Sequence, residues 1–97
     1  MKIHILRIAP KLFEGALHGK RFVVCNDRGF EEGDHIILDE WDGTHYTGRQ
    51  IGGNIDYVIT YEDFPDVIEE GYCVFVYRIK PNGVQYFGGR EKNEDND

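Results

Sequence analysis

Apolar and polar positions alternate in short runs along this chain, and one early stretch exchanges that alternation for a helical spacing. Lys2–Ile8 (KIHILRI) alternates with Ile3, Ile5 and Ile8 to one side and reads as a strand. In 9–19 (APKLFEGALHG), Leu12, Phe13, Ala16 and Leu17 recur at the spacing of one buried helix face. Pro10 suits the first helical position and Gly19 the end, and Gly15 keeps the helix short. RFVVC (21–25) is a short β-branched strand, and Asn26-Asp27-Arg28-Gly29 is a turn. DHIILDEW (34–41) is the clearest strand; Asp42-Gly43 signals a hairpin turn, and YTGRQI (46–51) follows as its partner.

Gly52-Gly53-Asn54 is expected to interrupt the chain before a new strand, 55–62, with Ile55, Tyr57 and Ile59 on one side. Residues 63–71 read as a loop or a single helical turn around Pro65. YCVFVYRI (72–79) is the most apolar strand and is expected to be central. Residues 80–89 add a hairpin or edge strand at the Asn82-Gly83 turn signal. Five to seven strands with one early helix predict an α+β domain over residues 1–89, built on a small, partly closed mixed β-barrel. Residues 90–97 (REKNEDND) lack any apolar side chain and are expected to form a disordered acidic tail.

Composition narrows the picture. Ninety-seven residues with 40% apolar and 13% aromatic side chains suffice for one modest core. No run of about 18 apolar residues is present to span a membrane, and the start lacks the pattern of a signal peptide. We therefore read the protein as cytoplasmic, with Cys25 and Cys73 as buried free thiols that could form a disulfide if they prove to be sheet neighbours. Serine is absent, which removes serine nucleophiles, and the four histidines share no metal-like spacing. Nothing calls for a metal or cofactor.

The net charge of −7 argues against a broad electrostatic grip on phosphate. It is unevenly spread, however. Residues 1–30 carry six basic and two acidic side chains, a net of +4, and residues 31–97 a net of −11.

The runs HILRIAPKLFEGALHGKRF, NDRGFEEGDHIILDEW, YTGR and GYCVFVYRI occur in an order that resembles the small phage and bacterial branch of the ASCH domains, within the PUA-like superfamily. The similarity covers roughly residues 3–79. It implies a PUA-like barrel with a helix beside a cleft, and RNA or nucleotide recognition there. Carried over position by position, it points to Gly19-Lys20, Asn26-Asp27-Arg28, Gly33-Asp34 and Tyr46-Thr47-Gly48-Arg49. Family members usually place Glu and then Arg in the strand after the Lys, where this chain has Phe22-Val23-Val24-Cys25. A valine transfers no proton, so the resemblance carries no expectation of the hydrolase activity some relatives have.

Each residue also has a plainer reading. Lys20 and Arg21 either meet a phosphate or offset the helix C-terminus. Asn26 and Asp27 shape the turn. Arg28 either grips a phosphate or pairs with Glu31, Glu32 or Asp34. Gly33, Asp34 and Gly48 are architectural. Arg49 either joins the other cations or pairs across the hairpin with Asp39 or Glu40. Tyr46 and Trp41 either stack on a base or pack the hairpin, and Thr47 lies between them and Arg49.

The leading expectation is an RNA- or nucleotide-binding module whose cations Lys20, Arg21, Arg28 and Arg49 converge on one pocket. A second is an acidic phage-type accessory protein, acting in the host cytoplasm, that binds a basic host protein. A third is a nucleoside amidohydrolase or ribonuclease using Lys20 or Asp27 as base.

Overall fold

The computed structural model describes residues 1–87; positions 88–89 and the acidic tail expected at 90–97 lie outside the described residues. Strand β1 (Ile3–Ile8) leads into helix α1 (Pro10–Leu17), followed by β2 (Phe22–Asn26), β3 (His35–Trp41), β4 (Tyr46–Thr60) and β5 (Tyr72–Tyr86). The strands form one sheet in the order β1-β3-β4-β5-β2, with β1 parallel to β3 and the remaining pairs antiparallel. The sheet curls into a half-barrel with β1 and β2 as its edges, giving a mostly stranded α+β fold with one short helix.

Helix α1 follows its sequence signals. Pro10 occupies the first turn, and the helix ends with Gly19 at φ 91°. There the Gly19 N–H bonds Ala16 O and the Lys20 N–H bonds Gly15 O at 2.8 Å, the paired closure of a Schellman end. Phe13 and Ala16 are buried and Leu12 half-buried, while Leu17 falls outside the buried face. Phe13 joins Phe30, Ile36, Leu38, Ile51, Ile55, Phe75 and Tyr77 in the core lining the sheet's inner face.

Three features depart from the pattern of alternation. First, β1 has the opposite phase: His4, Leu6 and Ile8 face the core, and Ile3 and Ile5 are exposed. A histidine is accepted inside because Asp34 takes its Nε2 at 2.9 Å.

Second, Gly52-Gly53-Asn54 does not break β4, which runs unbroken through them. A Cβ at Gly53 would collide with the Arg78 carbonyl, and one at Gly83 with the Gly52 carbonyl, so these glycines let β4 and β5 approach. Asn82-Gly83 is likewise no hairpin. Asn82 sits at φ 59° where the register jumps from the Gly53–Ile79 pair to the Ile51–Val84 pair, and β5 continues beyond the bulge.

Third, a further irregularity between Ile55 and Tyr57 resets the alternation. Ile55 is buried, Val58 packs against the core, and Tyr57 points outward.

Cys25 and Cys73 lie directly opposite each other on β2 and β5 as free thiols, the first half-buried and the second buried. Burial pushes the Cys73 thiol up to about 12, far from the reactive thiolate form.

Candidate nucleic-acid interface

The segment between β2 and β3 is built around carboxylates. Asp27 Oδ1 accepts the Gly29 N–H at 2.8 Å, closing the turn that Asn-Asp signalled. Asp34 is buried and accepts the Lys2 N–H at 3.1 Å, the Glu31 N–H at 3.0 Å and a bond with His4 Nε2. Bonding by His4, with the two backbone donors, holds its carboxyl down at about 2. Gly33, at φ 92°, turns the chain so that its N–H reaches Ile55 O at 2.8 Å. This knot ties β1, the turn and β4 to the start of β3.

Arg49 is also tied down. Its Nε and Nη2 donate to the two oxygens of the buried Glu40 carboxylate, both at 2.7 Å. Thr47 Oγ1 donates to the same carboxylate at 2.5 Å, Glu14 pairs with Arg49 at 2.9 Å, and the guanidinium lies 4.4 Å from the Phe13 ring centroid. The Arg49 bonds chiefly hold the Glu40 carboxyl below its ordinary value, and Glu40 in turn raises Arg49. Gly48, buried beside them, accepts the Phe87 N–H. Of Asp39 and Glu40 across the hairpin, it is Glu40 that holds Arg49.

The four cations expected to converge have separate surroundings: Lys20 and Arg28 line different hollows, Arg21 is bonded to the helix end and Arg49 to Glu40. Arg21 Nε donates to Ala16 O at 3.0 Å, capping the helix end. Lys20 and Lys11 border a hollow of about 380 Å³ with Leu12, Gly15 and Phe22, and no carboxylate lines it. Among the described residues Lys20 makes no ion pair. Asn26 ends β2 opposite Tyr72.

Arg28 is exposed, and among the described residues it makes no hydrogen bond or ion pair. The pairing expected with Glu31, Glu32 or Asp34 does not form, since Asp34 is fully engaged within the knot. Arg28 instead lines a hollow of about 370 Å³ with Ile5, Leu6, Arg7, Asp39 and Tyr46. Arg7 Nε donates to Tyr46 Oη at 3.0 Å, and its guanidinium lies 4.1 Å from the Trp41 ring centroid. Trp41 and Tyr46 meet edge to face at 4.7 Å. Two cations, one carboxylate, the Tyr46 ring and an exposed isoleucine therefore border one concavity, with Trp41 stacked against Arg7 outside its lining.

The sequence gives no local sign of Arg7, because the alternation of β1 by itself places Ile3 and Ile5 inside. With His4, Leu6 and Ile8 inside, Arg7 joins Ile3 and Ile5 on the outer face beside Trp41. Among the described residues, no group of His, Cys, Asp and Glu is arranged to hold a metal ion. No helix there is long and apolar enough to cross a membrane.

The model of a family described as a domain of unknown function, DUF3850, matches residues 3–77. The chain is also 35% identical over 80 residues to an uncharacterized 12.9 kDa protein in the GpA 3′ region of Escherichia phage P2. That match covers 80% of this chain and 69% of the phage protein.

Proposed function

The chain belongs to the DUF3850 family, and on that premise we propose that it is an ASCH/PUA-like module that binds RNA or a nucleotide without hydrolysing it. The observation that carries this reading is the hollow lined by Arg28, Arg7 and Tyr46, with Trp41 stacked on Arg7 at its edge. The Arg28 guanidinium, which makes no ion pair among the described residues, suits phosphate, the Tyr46 ring suits a base, and a volume of about 370 Å³ accommodates a nucleotide-sized group. Because the rest of the chain is acidic, the grip is local, through few phosphates. Arg49, Thr47, Arg21 and Asp34 serve the scaffold, and Lys20 lies at a different hollow.

Fluorescence anisotropy with a labelled oligouridylate at low salt tests the reading. Two phosphate contacts predict a log–log salt slope of about −1.4, and Arg28→Ala should remove about half of it. Lys20→Ala should leave affinity and slope unchanged. Absence of binding at low salt, or loss on Lys20→Ala with Arg28→Ala unaffected, would contradict the proposal.

A further inference from the structure

A second surface lies away from the arginine hollow and is apolar. On the outer face, the ladder aligns Tyr57, Val76 and Phe22 in one row across β4, β5 and β2, and Ile59, Val74 and Val24 in the next. Val24 is 59% exposed, Tyr57 56% and Phe22 43%, which is unusual for contiguous apolar residues on a small sheet. The 61–71 segment flanks these rows. Its Ile68 is buried, but Val67 is 69% exposed, leaving a hollow of about 440 Å³ lined by Val24, Val67, Ile68, Glu69, Tyr72 and Val74.

The charge beside the 61–71 hollow is acidic, whereas the Phe22 end of the row borders Lys11 and Lys20. Residues 61–71 contain Glu62, Asp63, Asp66, Glu69 and Glu70 and no Lys or Arg. Asp63 bonds Thr60. Among the described residues, the side chains of Glu62, Asp66, Glu69 and Glu70 make no hydrogen bond or ion pair. Arg78, on the same face of β5, is paired with Asp56 at 2.6 Å.

We propose that this face docks a cationic, apolar segment of another protein. Its apolar side chains would cover Val24, Val67 and Val74, and its Lys or Arg side chains would meet the free carboxylates. The charge selects among occupants. Nucleic acid and anionic membrane surfaces are repelled by the acidic border. A second copy placed face to face would oppose the same carboxylates to one another. Residues 88–97 of this chain carry four acidic side chains and no apolar one, so their composition does not suit the floor. The proposal is independent of the arginine hollow and can stand or fall without it.

The test is a titration of the ¹⁵N-labelled full chain with three short synthetic peptides, of alternating Lys and Val, Lys and Ser, and Glu and Val. The Lys/Val peptide should produce saturable amide shifts confined to 22–26 and 57–76. Val67→Asp, at an exposed position that leaves the fold intact, should weaken it by about tenfold or more. Glu69→Lys should weaken it as well. Equal binding by the Lys/Ser peptide would overturn the proposal, as would shifts centred elsewhere or no shifts at all. Concentration-dependent broadening of the same amides without peptide would also overturn it, by assigning the face to a second copy.

Discussion

Asp34 shows how one side chain can be indispensable without touching a ligand. Its carboxylate satisfies two backbone donors and the ring of a buried histidine, so the ionised form is favoured in the fold. A carboxyl lowered from 3.8 to about 2 contributes stability that is fully present above about pH 4 and is lost as pH falls through 2. Urea midpoints measured between pH 5 and 2 should therefore fall for the native chain and fall less for Asp34→Asn, which starts lower by about 2–4 kcal/mol. Arg49 poses the complementary case. Arg49→Met strands the buried Glu40 and should cost about 3–5 kcal/mol, while adding Glu40→Leu should restore most of it. Thermal unfolding of the two variants checks this. The sequence placed Asp34 and Asp27 in their structural roles because short carboxylates beside glycine bond locally. It left Arg28 and Arg49 open because each had several acids within reach, and only the fold decides which acid is free.

At the scale of elements, the helix was legible from end to end, since Pro10, the Phe13/Ala16 face and Gly19 are local signals. The long strands were not. Alternation alone cannot see a bulge, and both β4 and β5 carry glycines that read as turns but act as sites of close approach. This leads to a contrast between neighbours. Gly53→Ala drives a methyl into the Arg78 carbonyl and should destabilise the fold by about 1–3 kcal/mol. Gly52→Ala meets its nearest atom at 3.9 Å and should stay within about 0.5 kcal/mol of the parent. Chemical denaturation of the pair distinguishes a tight crossing from an ordinary break between strands. The phase of β1 was misread for a related reason: nothing local announces that a histidine will be buried until its acid partner, thirty residues away, is in place.

Across the whole molecule, the charge polarity of the sequence survives but does not gather into one basic cleft. The half-barrel assigns its cations separately: Arg49 to Glu40, Arg21 to the helix end, Lys20 to an apolar hollow, and Arg28 with Arg7 to the aromatic concavity. Carboxylates left unpaired collect on another face, along 61–71. A module organised this way presents two chemically opposed surfaces on one small sheet. The most direct check of the central claim follows the arginine Nε–Hε resonances while oligouridylate is added to the labelled chain. The account predicts saturable shifts for Arg28 and Arg7 and none for Arg49; unmoved Arg28 and Arg7 signals, or a response led by Arg49, would contradict it.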